Sequence, residues 1–256
     1  MKYLSLIQVE FQKIRRSKIL PILLAASFIL WLPSVINANM QFEMQDVGIS
    51  PENSFFIQGF MGMTWFIFPA VTAVCTVLIS QTERTNNGIL KMLALPVNTA
   101  ALCTAKYTVL LALSAVYFLI NMGAYYISAA IASASLDYDF FLPPGYILEQ
   151  TGILFLAAIP MIAVFWLIAV CIQTPVFSVG IGLASIVPSV LILNTKIWFL
   201  YPMCYPFYVI TAEYGNLAAN MSDTQVDLVP WIPVAAAITV LCLAVTCFNF
   251  GRAERK

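Results

Sequence analysis

Leu148–Cys171 reads LEQTGILFLAAIPMIAVFWLIAVC, and from Gly152 onward it carries no charge. A helix needs about 20 mostly apolar residues, rising about 1.5 Å each, to cross roughly 30 Å of hydrocarbon. In lipid the backbone must pair with itself, and this stretch lacks the alternation of a barrel strand. It therefore reads as a membrane-spanning helix. Working outward, the same reading applies near Ile19–Ile36, Phe56–Ser80, Ala105–Ala132, Phe177–Leu193 and Trp231–Phe250. The expected fold is an all-α membrane protein, one transmembrane domain over residues 1–256 with six spans. Composition agrees, since 61% of residues are hydrophobic and 9% charged, against about 25% charged in a soluble domain.

The segments between spans sort by charge. The N-terminal stretch, Gln81–Thr104, the turn at Gln173 and Thr174, Gly251–Lys256 and Lys106 together hold 11 of the 12 Lys and Arg. The other side holds Glu43, Asp46, Glu52, Asp137, Asp139, Glu149, Glu213, Asp223 and Asp227, with Lys196 its only cation. By the positive-inside rule both termini are expected in the cytoplasm, which an even number of spans satisfies. The formal net charge of zero thus conceals an asymmetry across the membrane and offers no basic face for nucleic acid. Met1–Ile36 is expected to stay attached, because its apolar run is longer than a signal core and no small-residue cleavage site follows.

The spans are poor in chemistry. No Lys, Arg, Asp or Glu is expected at mid-membrane, where ion-coupled transporters carry their relays. Asn121 reads as a hydrogen-bonding tie between helices. The chain has no histidine, so metal sites and metal catalysis are not expected. The six cysteines read as small apolar fillers, since only Cys204 faces the outer side.

Three segments outside the spans stand out. In the N-terminal run, Tyr3, Leu4, Ile7, Phe11 and Ile14 recur at helical spacing with Lys13, Arg15, Arg16 and Lys18 around them. That pattern suits a helix lying in the membrane interface, apolar groups toward the acyl chains and cations at the phosphates. Between the second and third spans, Asn86-Asn87-Gly88 signals a turn, Ile89, Leu90, Met92 and Leu93 form an apolar ridge, and Pro96 ends it. Such a ridge suits a groove on another protein. Before the last span, Lys196–Val229 is too apolar for a solvated loop and too interrupted, by Pro202 and Pro206, for a span. It reads as an outer re-entrant hairpin carrying Tyr201, Tyr205, Glu213 and Tyr214.

No phosphate loop of the Gly-x-x-x-x-Gly-Lys-Ser/Thr kind occurs, so any ATP must be hydrolysed by another chain. The basic N-terminal helix, six spans with both ends inside, Glu83-Arg84, then Asn87-Gly88-Ile89-Leu90-Lys91 and Leu95-Pro96, with Lys106 entering the third span, resemble the membrane subunits of type-2 ABC exporters. Order and length are most similar to the lantibiotic-immunity permeases. Members with Gly-Thr-Leu after the turn differ from Gly88-Ile89-Leu90 here, which places no hydroxyl at 89.

The resemblance implies a bacterial plasma-membrane permease that exports a hydrophobic or amphipathic cargo such as an antimicrobial peptide. It implies two copies of an ABC ATPase subunit holding ATP and Mg, and a second membrane subunit, identical or related. It assigns ATPase coupling to Glu83, Arg84, Gly88, Ile89, Leu90, Leu93 and Pro96, and an outer gate to Tyr201, Pro202, Tyr205, Pro206, Glu213 and Tyr214. No catalytic residue and no cofactor are expected in this chain. The competing readings are an ATP-independent channel or secondary transporter, and a membrane sensor or scaffold.

Overall fold

The computed structural model describes residues 3–15, 17, 19–84, 98–218 and 228–250, with the side chains of residues 15, 44–47 and 82–84 outside the description. Six helices among these residues are long and apolar enough to cross a membrane. A surface helix, α1 (Tyr3–Arg15), precedes the first span, α2 (Ile19–Ile36). A 3-10 stretch, Ala38–Val47, leads to the second span, which joins α3 (Pro51–Gly62) through a single π turn at Met63–Ile67 to α4 (Phe68–Arg84). The third and fourth spans are α5 (Thr99–Leu136) and α6 (Pro144–Cys171). The fifth is broken into α7 (Pro175–Ala184) and α8 (Ser189–Leu193). A further helix, α9 (Tyr205–Leu217), precedes the sixth span, α10 (Leu228–Phe250).

Several spans run longer than hydropathy alone suggests. The third starts at Thr99 rather than near Ala105, because the Asn98 side chain accepts a 2.9 Å bond from the Ala100 N–H and caps the helix. It ends where Asp137 turns left-handed at φ 51°. Its 38 residues make a rod about 57 Å long, nearly twice the hydrocarbon thickness. Part of it therefore lies outside the hydrocarbon.

Lipid tails are as apolar as leucine, so the helices associate through close packing and hydrogen bonds rather than through escape from water. The fourth span sits centrally, against the second, third and sixth spans and α9, and fully buries Met161, Ile162, Phe165 and Trp166. Its apolar window is 61% buried, against 11% for the sixth span and 22% for the first and fifth. Those three carry the bundle's outward apolar faces. Small residues bring helices close: a Cβ built on Gly182 would lie 3.0 Å from Ala73 Cβ, so the fifth and second spans meet almost backbone to backbone.

Tyrosines supply the polar ties. The Tyr107 hydroxyl donates to Ile159 O at 3.1 Å, joining the third and fourth spans. The Tyr125 hydroxyl donates to Phe140 O at 3.0 Å and accepts from Leu142 N at 3.1 Å, fastening the loop between those spans. Asn121 departs from expectation. Its amide donates to Tyr117 O of its own helix at 2.9 Å, because the carbonyl one turn back is the nearest acceptor the helix geometry offers.

Candidate functional site

The bundle has two chemically different ends. One carries α1, the close of α4 and the start of α5; the other carries α9 and the loops around Glu52 and Tyr138. At the first end, α1 lies across the third span. Leu6 is buried, Ile7 and Ile14 are half-buried, and Leu4 and Phe11 stay exposed on the far side. The buried face also holds a charge. Glu10 stands four residues from both Leu6 and Ile14, inside the apolar stripe.

Lys106, about two turns into α5, donates to Glu10 Oε2 at 2.8 Å, and Lys13 donates to Glu10 Oε1 at 2.6 Å. The Lys106 side chain is 1% exposed and that of Glu10 4%. Each carboxylate oxygen thus has a cation, as a buried charge requires. A second tie lies two residues further along α5, where the Tyr3 and Thr108 hydroxyls meet at 2.9 Å. The turn into the first span is capped by Ser17, whose hydroxyl donates to Ile14 O at 2.7 Å.

Of the residues assigned to ATPase coupling, Glu83 and Arg84 form the last turn of α4, and Gly88, Ile89, Leu90, Leu93 and Pro96 lie outside the described residues. Of the surface-helix set, Phe11 is exposed, Lys13 holds Glu10, Arg15 closes α1, and Arg16 and Lys18 lie outside the description. Sequence reasoning read Lys106 as a helix-entrance cation and passed over Glu10. A carboxylate within an apolar helical stripe was the available signal.

At the opposite end the residues assigned to the outer gate are drawn into two groups. The Tyr201 hydroxyl donates to Ser185 O and the Tyr205 hydroxyl to Phe199 O, while Pro202 and Pro206 are buried. Trp198 and Tyr208 stack with centroids 3.8 Å apart, and Trp231 of the sixth span closes the cluster. Glu213 accepts a 2.6 Å bond from Tyr146 at the head of the fourth span, and Tyr214 is half-buried beside it in sequence. Tyr138 donates to Glu52 at 2.5 Å. That bond, aided by burial, pushes the Tyr138 hydroxyl up to about 12. Both carboxylates are thereby tied to the fold.

Between the first and third spans lies a groove of about 400 Å³, walled by Leu24, Phe28, Trp31, Ile120 and Ile127. No group of three or more His, Cys, Asp or Glu able to hold a metal occurs among the described residues.

A search of curated proteins and one of solved structures give no significant match. A family model described as ABC-2 family transporter protein matches residues 6–189. That range takes in the Glu10–Lys106 pair, the first four spans whole, and the fifth as far as the start of α8. The chain, a multi-pass membrane protein, belongs to the ABC-2 transporter family.

Proposed function

We propose that this chain is the permease subunit of an ATP-driven exporter, moving a hydrophobic or amphipathic cargo out of the bacterial plasma membrane. The observation that carries the reading is the family match laid over the six-span bundle, in which residues 85–98 join two long helices at the basic end. The third of these spans is a rigid rod that reaches beyond the bilayer. A push delivered to its projecting end by a partner would be carried the full depth of the membrane.

Both termini and the 81–104 segment lie in the cytoplasm on this reading, as the positive-inside rule asks. Residues Ile89, Leu90 and Leu93 seat in a cleft of a separate ATPase subunit, present in two copies, which holds ATP and Mg. Glu83, Arg84, Gly88 and Pro96 frame that ridge. Six spans are few for enclosing a peptide-sized path, so a second membrane subunit, identical or related, completes it. The outward apolar faces of the first, fifth and sixth spans are those that lipid and the second subunit share. The α1 helix lies in the interface, and Lys196–Val229 dips into the outer leaflet as part of the gate. The apolar spans and groove suit a membrane-borne cargo, and the order of motifs favours a lantibiotic or similar antimicrobial peptide.

The test is a mild-detergent pull-down of the tagged chain from its native cells, with an ATPase assay on the eluate. A phosphate-loop subunit should come down with the wild type and be lost from a Leu90→Asp, Leu93→Asp variant. Elution without such a subunit, under conditions that keep other membrane complexes whole, would return the channel and sensor readings.

A further inference from the structure

We propose that the Glu10–Lys106 ion pair is the joint that carries movement of the coupling segment into the surface helix α1, which makes both residues positioning residues of the transport cycle. The proposal rests on the permease reading above and adds the path by which the third span drives the first.

Three observations carry it. The pair is placed where force would arrive: Lys106 stands about 10 Å along α5 from Thr99, and α5 begins directly after the segment assigned to the ATPase contact. The pair is buried, with both oxygens of Glu10 held by ammonium groups at 2.6 and 2.8 Å. Two side-chain bonds fasten α1 to the third span, from Tyr3 to Thr108 and from Lys106 to Glu10. Between α1 and the first span, the Ser17 hydroxyl donates to Ile14 O and accepts from Ile19 N, so it is bonded to both. The chain of rigid parts is therefore third span, ion pair, surface helix, first span.

Stability does not explain the choice of residues. A buried ion pair gains little over well-packed apolar side chains of the same volume, because desolvation offsets the attraction. What it adds is an all-or-none contact. Leucine against leucine can slide by an ångström at small cost, whereas a carboxylate and an ammonium in a low-dielectric site are either joined or separated at high cost. A joint that must transmit displacement without slipping needs the second behaviour. A like argument excludes a simple topological role for Lys106, since a cation that only marks the cytoplasmic side works while solvated.

The experiment uses the full chain with its co-purified ATPase subunit in nanodiscs. Spin labels are placed on Gln12 and Thr174, both exposed at the basic end, and their separation is measured with and without trapped ATP. Wild type should show an ATP-dependent shift. Glu10→Gln and Lys106→Met should each abolish the shift while the ATPase subunit still co-purifies. The charge swap Glu10→Lys with Lys106→Glu should restore it, because the relocated carboxylate on α5 can accept from the relocated ammonium on α1 and from Lys13 together. A purely structural pair would lower the melting temperature of the single variants yet leave the shift in the assembled fraction. That outcome overturns the proposal, as does a folded swap that assembles but shows no shift. Absence of any ATPase subunit from the wild-type preparation would instead overturn the permease reading itself.

Discussion

Gly59 lies flat against the indole of Trp31, so close that a Cβ at this position would overlap the six-membered ring. The first and second spans owe their approach to that missing atom, and Trp31 in turn packs on Phe55, Phe60 and Tyr125. Gly59→Ala must push the indole or the helix aside. Overpacking of this kind costs about 1–3 kcal/mol, and Gly59→Leu should cost more. Thermal unfolding followed by the exposure of a buried cysteine should show a lowered midpoint for both. A midpoint equal to wild type in Gly59→Leu would mean the spans are not in contact there.

Removing one member of the buried pair should cost more than removing both. Lys106→Met takes one of two ammonium groups from Glu10, and breaking a buried pair by one partner costs about 3–5 kcal/mol; the remaining Lys13 contact places the expectation at the low end. The double variant Glu10→Met, Lys106→Met should recover most of that loss, since two apolar side chains need no partner. A double-mutant cycle on melting temperature measures it, and additive losses would contradict the burial of the pair.

At the end opposite α1, the Tyr138–Glu52 bond should weaken at both pH extremes, in strong alkali as the phenol ionises and in acid as Glu52 is protonated. The Tyr138 hydroxyl is raised from 10 to about 12, first by its hydrogen bond to Glu52 and then by burial. On the alkaline side, the raised folded-state value means that the contribution is present up to pH 10 and is lost as pH climbs toward 12. Tyrosinate absorbance compared between wild type and Tyr138→Phe should isolate one late-titrating phenol. A difference spectrum appearing below pH 10 would contradict the contact.

Tyr146→Phe removes the hydroxyl that holds Glu213, the tie between α9 and the fourth span. Hydrogen bonds to a charged group contribute about 1.5–3 kcal/mol, so Tyr205–Leu217 should exchange amide hydrogens faster while α6 keeps its protection. Equal protection of α9 in the variant would show that the aromatic cluster around Trp198 holds the hairpin unaided.

Cys103 and Cys247 come from the third and sixth spans, yet their thiols lie within hydrogen-bonding reach, and Cys247 also approaches Ala100 O at 3.9 Å. Cys103 is fully buried, so in a variant retaining only these two cysteines a thiol reagent should label Cys247 alone in the folded protein and both after denaturation, read by mass. Two labels before denaturation would separate the two helix ends.

How much of this was legible beforehand differs by element. The six spans follow from length and apolarity, because the bilayer imposes one dominant constraint. The ends of the spans followed less well: Thr99 required recognising Asn98 as a cap, a signal that hydropathy does not contain. The aromatics of Trp198–Tyr208 were visible as a group, but the ties from Tyr146 to Glu213 and Tyr138 to Glu52 join residues 67 and 86 positions apart. Glu10 and Lys106 are 96 apart. Periodicity assigns each residue to a face; it does not say which face meets which. Asn121 shows the converse, a polar residue whose partner was sought across the bundle and lay one turn away.

The broken fifth span sets how this protein meets bilayers of unequal thickness. Its ten-residue first piece is about 15 Å long, near one leaflet's hydrocarbon depth, and a turn through Pro188 separates it from the short second piece. The third span, unbroken over its whole length, has no place to shorten and answers a thinner membrane by tilting or by thickening the lipid around it. The fifth can fold further at its turn. Acyl-chain length should therefore act on the tilt of one helix and the bend of the other, so that lipid composition alters the shape of the bundle even with every protein partner in place.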